Sequence, residues 1–186
     1  RRDPQTGRME QIEMEHNRAD LLLAALRDVP ADEKVIIWSK YHYSIREIVA
    51  ALRETYGADA AAEFHGRLSE RERHAESERW RANKSTRFLV ATQAAGGHGL
   101  TLNEANHVVF YSNEFKYATR LQAEDRCHRI GQARSVTYID IVCAGTIDDR
   151  ISAALTRKAN AAEEFRRQVD AVKDDKAMMK EMIKTL

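Results

Sequence analysis

VIIW, residues 35–38, is a continuous apolar run, and it decides the fold class of this chain. A strand with one face in water alternates apolar and polar residues, whereas a continuous run is typical of a strand covered on both faces, as in parallel sheets. Residues 88–91 and 108–111 repeat the pattern, and 136–142 and the weaker 60–64 complete the candidate strands. Helical segments separate them. The sequence therefore predicts an α/β fold: a mainly parallel sheet of about five or six strands, flanked by helices.

The helical segments carry their own start signals. Apolar residues recur at helical spacing over residues 9–28, ahead of the first strand. Three later pairs have the spacing of a capping box: Ser44 with Glu47, Ser69 with Glu72, and Thr146 with Asp149. After Thr146 the pattern predicts a long amphipathic helix, and the charged tail 173–186 is compatible with a further helix. We expect a linker at 1–8, a domain with its leading helix at 9–150, and a C-terminal helical extension at 151–186.

Composition limits the classes of function. The 186 residues include 30 basic and 29 acidic ones, a net charge of +1, so a nucleic-acid contact would need a local patch of charge. Cys127 and Cys143 form no CxxC pair, which argues against zinc and for a reducing compartment. No apolar run has the length of a membrane span and no signal sequence opens the chain, so we expect an intracellular protein. Because the sequence begins at Arg1, we expect it to be part of a longer protein.

The run QAEDRCHRIGQ, residues 122–132, contains the most informative side chains. Gln122, Arg126 and Arg129 stand at i, i+4 and i+7, which would place them on one helix face, and Gly131 would end that helix. Two guanidiniums beside a carboxamide suit a phosphoryl group, because arginine offers a fixed fork of donors and the amide can orient water. The spacing by itself also fits a solvated face of a surface helix.

Further polar residues follow the first three predicted strands, at the edge where ligands collect in parallel sheets. Lys40, His65 and Arg67 would be ordinary surface residues one by one, but together they could follow a nucleic-acid backbone. The glycine-rich turn at 96–99 either lets a ligand approach the backbone closely or is simply a tight strand-to-helix turn.

Longer stretches of the sequence resemble a known family. TQAAGGHGLTLNEANHVVFYSNEF (92–115) and QAEDRCHRIGQARSVTYIDIV (122–142) are similar to motifs five and six of the SWI/SNF-type helicase-like ATPases of helicase superfamily two. KVIIWSKY (34–41) resembles motif four, and FHGRLSERER (64–73) resembles the stretch that follows it. The resemblance implies the second, C-terminal RecA-like lobe of a DNA-dependent ATPase that translocates on double-stranded DNA.

The resemblance also implies roles for individual residues. Gln122 would place the attacking water or the γ-phosphate, and Arg126 and Arg129 would be arginine fingers. Gly97 and Gly99 would lie near the nucleotide sugar. The DNA-facing rim would include residues from three strand ends: Ser39, Lys40, His65, Thr92 and Gln93.

The sequence contains no GxxxxGK[ST] loop, and the one acidic pair before a strand, Asp32–Glu33, precedes it rather than following it as a magnesium-binding pair would. We therefore expect ATP and Mg²⁺ to be bound mainly by an N-terminal RecA-like lobe of the same protein, and this chain to be inactive alone. Two alternatives stay open: a lobe of a strand-separating helicase, and a non-catalytic nucleic-acid-binding or regulatory module. An upstream P-loop would distinguish an ATPase from the second alternative. We expect a cytoplasmic or nucleoid location in a bacterium or virus and a nuclear one in a eukaryote.

Overall fold

The computed structural model describes residues 16–95, 102–128, 132 and 134–184, with side chains described as far as residue 170. Strands and helices alternate along most of this length, as the sequence predicts. In chain order the elements are α1 (Arg18–Arg27), β1 (Lys34–Ser39), α2 (His42–Tyr56), β2 (Ala61–Phe64), α3 (Glu70–Ala82), β3 (Phe88–Thr92), β4 (Ala105–Phe110), α4 (Tyr117–Glu124), β5 (Thr137–Asp140) and α5 (Ile147–Lys184).

The five strands form one parallel sheet in the order β2-β3-β1-β4-β5. β1 lies in the middle, and its residues from Val35 to Ser39 are buried. This confirms the interpretation of VIIW as a strand covered on both faces. Because all the strands run the same way, their carboxyl ends lie at a single edge of the sheet, which we call the carboxyl edge.

Each face of the sheet has its own core. On one face, α1 and α2 contribute Leu22, Leu26, Ile45, Ile48 and Leu52, which pack with Val35 and Ile37. On the other face, Trp80 of α3 and Ala123 of α4 pack with Ile36 and Trp38. Successive residues of β1 thus serve opposite cores, as pleating requires. Trp38 and Trp80 are fully buried, one core tryptophan from the sheet and one from α3.

As far as its side chains are described, to residue 170, the long helix α5 is buried against the domain near its start. Ile151 and Leu155 are buried, whereas Phe165 is 67% exposed. The backbone stays helical to Lys184, so the expectation of a separate helix for the tail 173–186 was wrong: one helix continues into it. No helix in the described part of the chain is long and apolar enough to cross a membrane.

Partly buried polar contacts join α1 to the start of α5. Arg18 donates to the carbonyl oxygen of Tyr111 at 2.6 Å and forms an ion pair with Asp148. Asp148 also accepts the backbone N–H of Cys143 at 3.2 Å. The guanidinium thereby holds the two ends of the described domain beside the carboxyl ends of β4 and β5.

The three predicted capping boxes have different outcomes. Ser69 and Glu72 form the reciprocal box: the Ser69 hydroxyl accepts the Glu72 N–H at 3.3 Å and the Glu72 carboxylate accepts the Ser69 N–H at 2.7 Å. The prediction of a capping box at Ser44 was wrong, because α2 already begins at His42 with Tyr41 as its N-cap. Thr146 caps α5 by accepting the Asp148 N–H at 3.2 Å, but the Asp149 carboxylate accepts from Gly145 instead of completing a box.

Replacing Ser69 with alanine tests the capping box. We expect Ser69→Ala to lower the free energy of unfolding by about 1 kcal/mol, because the Glu72 N–H at the start of α3 loses its partner and the Glu72 carboxylate loses the Ser69 hydroxyl. Ser44→Ala is the matched control, since Ser44 lies inside α2, and it should change stability by less than about 0.5 kcal/mol. Urea denaturation of both variants measures the difference, and equal losses would show that the box contributes nothing specific.

Candidate functional site at the carboxyl edge

Ser39 and Lys40 end β1 at the carboxyl edge and have different surroundings. Ser39 is fully buried, and its hydroxyl lies 3.3 Å from the hydroxyl of Ser112, which follows β4. The Ser112 hydroxyl also accepts the backbone N–H of Lys40 at 2.9 Å. Lys40 itself is exposed, with its ammonium 5.1 Å from the centre of the Tyr41 ring. Ser39 therefore stabilises the turn after β1, while Lys40 presents a charge to solvent.

The turn after β2 also combines a buried polar side chain with an exposed charged one. His65 is 8% exposed, and its Nδ1 accepts the Arg67 backbone N–H at 3.3 Å. Its ring meets the His42 ring edge-on, with centroids 5.1 Å apart. Burial lowers the pKa of His42, and electrostatic interactions with Arg67 and the His65 ring lower it further. The two rings thus form a packed pair under the turn, and Arg67 is exposed above it.

Thr92 and Gln93 end β3 and are also buried, at 6% and 5% exposure. The Thr92 hydroxyl accepts the Ala95 N–H at 3.3 Å, and the Gln93 amide donates to the side-chain oxygen of Asn113 at 3.4 Å. Of the six residues predicted to contact DNA, the structure therefore buries Ser39, His65, Thr92 and Gln93. Of these six residues, only Lys40 and Arg67 are exposed, and each presents a charged side chain to solvent at the carboxyl edge.

The structure corrects the prediction of one helix face for the candidate catalytic residues. Gln122 is exposed on α4, but α4 ends at Glu124. Arg126 lies in the turns that follow, so Gln122 and Arg126 do not share one helix. The backbone oxygen of Arg126 accepts the N–H of Leu102 at 3.0 Å, which ties the chain just after α4 to the loop that leads into β4.

Other predicted residues lie outside the described part of the chain. Arg129 is one of them, as are Gly97, Gly99 and Gly131. Their proposed roles stay predictions. Among the described residues, no group of three potential ligands could hold a metal ion.

Cys127 follows Arg126 and points into the core. It is fully buried, and burial together with the charge of Glu104 raises the pKa of its thiol to about 12. It therefore stays protonated at neutral pH and acts as a small apolar side chain. Its burial explains why the chain turns inward after Glu124 instead of extending α4 across the surface.

A cluster of charged side chains behind α4 was not predicted from the sequence. Arg120 forms ion pairs with Asp140 and with Glu124, and the Cζ atom of its guanidinium lies 3.5 Å from the centre of the Phe110 ring. A pocket of about 190 Å³ next to it is lined by Arg120, Asp140 and residues of α5, and by none of the predicted site residues. The available signal was the i, i+4 spacing of Arg120 and Glu124, but that spacing is typical of any surface helix.

Comparisons with known proteins agree with this architecture. The model of the family "Helicase conserved C-terminal domain" matches residues 17–131. A putative ATP-dependent helicase/translocase of Bacillus subtilis, YwqA, is 33% identical over 137 residues, which cover 74% of this chain and 14% of that protein. The DNA repair protein RAD5 of Candida glabrata is 31% identical over 145 residues, which cover 76% of this chain and 13% of that protein.

A solved structure shows the same fold. The C-terminal part of the Fun30 ATPase domain superposes with a TM-score of 0.69 at 24% identity, covering 74% of this chain and 44% of that one. The chain spans only about a seventh of the two relatives named above. It belongs to the helicase conserved C-terminal domain family, as a RecA-like C-terminal lobe of the SWI/SNF type.

Proposed function

We propose that this chain is the second lobe of an ATP-dependent translocase on double-stranded DNA. The observation that carries the proposal is the 3.0 Å backbone bond from Leu102 to Arg126. This bond joins the turn that bears Arg126 to Leu102, which follows the glycine-rich segment 96–101 in the sequence. It supports a proposal in which Arg126 acts on phosphate and Gly97 and Gly99 act at the nucleotide sugar. The YwqA protein, named as a helicase/translocase, supports the same reading.

In this proposal Gln122, Arg126 and Arg129 act on ATP that an N-terminal lobe of the same protein binds with Mg²⁺. When the lobes close, the arginines stabilise charge that develops on the transferred phosphoryl group, and Gln122 orients the attacking water. Gly97 and Gly99 lie along the nucleotide sugar. Because the chemistry needs both lobes, this chain supplies only half of the site. The division into a linker at 1–8, the domain at 9–150 and an extension at 151–186 belongs to the same proposal.

The DNA contacts come from the other part of the carboxyl edge. Lys40 and Arg67 are exposed and reach phosphates directly, while Ser39, His65, Thr92 and Gln93 lie beneath them and hold the turns that present backbone N–H groups. Such contacts follow the shape and charge of a duplex without reading its bases. Because its proposed substrate is DNA, we expect the protein to act inside the cell.

A strand-separating helicase remains the alternative within enzymes, and a non-catalytic binding module the alternative outside them. The first predicts displacement of a labelled strand from a partial duplex, whereas a translocase displaces a bound triplex-forming strand and leaves the duplex intact. The second predicts no hydrolysis by the longer protein.

The first prediction concerns hydrolysis by the longer protein. Arg126→Ala and Arg129→Ala should each lower the DNA-stimulated kcat by about 10³-fold or more, because an arginine finger acts mainly on the transition state. Arg129→Lys should stay severely impaired, since lysine keeps the charge and loses the planar fork. Gln122→Ala should also lower kcat. Nucleotide affinity should change much less in all four variants, as measured by equilibrium binding of a labelled ATP analogue.

Two results would contradict these roles. If all three arginine variants hydrolyse ATP near the parental rate, the residues form only a solvated surface. If affinity and kcat fall together, they bind the ground state and are not fingers.

A second prediction concerns the isolated 186-residue chain. It should fold, as judged by a cooperative thermal transition, and hydrolyse no ATP with or without DNA, because the phosphate-binding loop is elsewhere. Steady turnover by the purified chain that Arg129→Ala abolishes would show that the chain contains a complete ATPase site.

A third prediction concerns DNA binding. Binding by the isolated chain should be weak, independent of sequence and strongly reduced by salt. Lys40→Ala and Arg67→Ala should lower the affinity for unrelated duplexes by similar factors, each reducing the salt dependence by about one phosphate contact. Lys84→Ala is the matched control, because this exposed lysine lies at the opposite edge of the sheet, between α3 and β3.

Fluorescence anisotropy with two duplexes of unrelated sequence measures these effects. An equal loss with Lys84→Ala would assign binding to general charge rather than to the carboxyl edge. A preference for one duplex that survives high salt would indicate a base-reading module instead.

A further inference from the structure

Ion pairs and hydrogen bonds of Arg120 join α4 to two other segments, at Asn113 and at Asp140. Its guanidinium donates to both carboxylate oxygens of Asp140 at the end of β5, one of them at 3.0 Å, and pairs with Glu124 one turn along the helix. The Asp140 carboxylate also accepts the Asn113 side-chain N–H at 2.7 Å. The Arg120 side chain is only 12% exposed. Burial alone would lower its pKa, but Asp140 and Glu124 outweigh burial and raise it, so the charge is kept.

Helix α4 has few other attachments. It is eight residues long, and of these only Ala123 is buried. Its N-cap, Lys116, makes no capping hydrogen bond with its side chain. A short helix with one small buried residue has little apolar packing to fix its rotation about its own axis. The contacts of Arg120 therefore hold α4 against the sheet.

The direction of this attachment matters for Gln122. Residues two apart in a helix point about 200° apart, so Arg120 faces the sheet and Gln122 faces outward. The exposure of Gln122 and the burial of Arg120 agree with this geometry. Whatever fixes Arg120 thus fixes the direction in which Gln122 projects, and the start of the turn that leads to Arg126.

The same cluster reaches the turn after β3. The side-chain oxygen of Asn113 accepts from Gln93 at 3.4 Å and from Arg120 at 3.4 Å. Gln93 immediately follows β3 and precedes the glycine-rich segment. A continuous set of hydrogen bonds therefore runs from Gln93 through Asn113 to Arg120, and so from one side of the candidate site to the other.

We propose that Arg120 is a positioning residue that orients α4 for catalysis and couples it, through Asn113, to the turn at Gln93. This inference rests on the proposed ATPase function. It assigns Arg120 no contact with ATP or DNA. Its loss should therefore lower kcat while leaving the KM for ATP unchanged, and its effect should depend on Gln93.

The test uses the longer protein that carries this chain, with kcat, KM and the dependence on duplex DNA measured for each variant. Arg120→Gln should lower the DNA-stimulated kcat by about 10- to 100-fold, because displacements near 1 Å have effects of this size, with KM for ATP within about 2-fold of the parental value. Arg120→Lys keeps the ion pair with Asp140 and should recover part of the rate. Asp140→Asn removes the charge that pairs with Arg120 and changes the shape of the side chain little. It should also lower kcat, so it provides a second test if Arg120→Gln fails to fold.

The coupling has its own measurement. Gln93→Ala and Arg120→Gln should be non-additive in a double-mutant cycle, the double variant being less impaired than the product of the single effects. Arg81→Gln is the matched control: Arg81 also bridges two carboxylates, Glu78 and Glu104, but on α3 and close to the amino end of β4. It should leave kcat within about 2-fold, as expected for a surface ion pair.

The outcomes separate this inference from the function it rests on. A parental protein without DNA-stimulated hydrolysis overturns both. A parental ATPase that loses activity with Arg126→Ala but keeps it with Arg120→Gln and Asp140→Asn overturns only the positioning role. The role also fails if kcat falls with both Arg120→Gln and Arg81→Gln by the same factor, or if the effects of Gln93→Ala and Arg120→Gln multiply.

Discussion

Parallel pairing of β1 with β3 on one side and β4 on the other is the constraint on which the rest of the molecule depends. A strand that is paired on both sides and covered on both faces admits no slip of register, because a shift by one residue would exchange its two cores. Parallel pairing then brings the carboxyl ends of distant segments together. The hydroxyl contact of 3.3 Å between Ser39 and Ser112, 73 residues apart, is a direct result.

The strands could be predicted from the sequence because burial on both faces leaves a local signature of consecutive apolar residues. Helix starts could be predicted only in part. Ser44 has the spacing of a capping box, yet α2 begins earlier, since the Ser39 hydroxyl accepts the Tyr41 N–H at 3.3 Å and starts the turn directly after β1. Spacing within a helix carries no information about where the preceding strand ends. Where Ser69 follows a loop, the same spacing gave the correct box.

The candidate site could be predicted in its residue types but not in its geometry. Periodicity assigns Gln122 and Arg126 to one helix, whereas in the fold the Arg126 carbonyl bonds to Leu102 and Cys127 turns into the core. The Arg126 contact and the burial of Cys127 both involve Leu102, which lies 24 residues before Arg126 in the sequence. A local sequence pattern contains no information about such a distant contact. Likewise, polar residues after a strand indicate a surface, but Ser39, Thr92 and Gln93 are buried because the turns of neighbouring strands cover them.

The helices of this domain are attached in two different ways. Helix α2 buries Ile45, Ile48, Val49 and Leu52, and four such side chains contribute roughly 6 to 12 kcal/mol of transfer free energy. Helix α4 buries only Ala123 and is held by the charged contacts of Arg120. Apolar packing resists any shift, whereas hydrogen bonds of fixed direction hold one orientation and exchange partners without exposing a large apolar surface. A change at a neighbouring turn can therefore alter the orientation of α4, the helix that bears Gln122. The sheet beneath α4 stays unchanged.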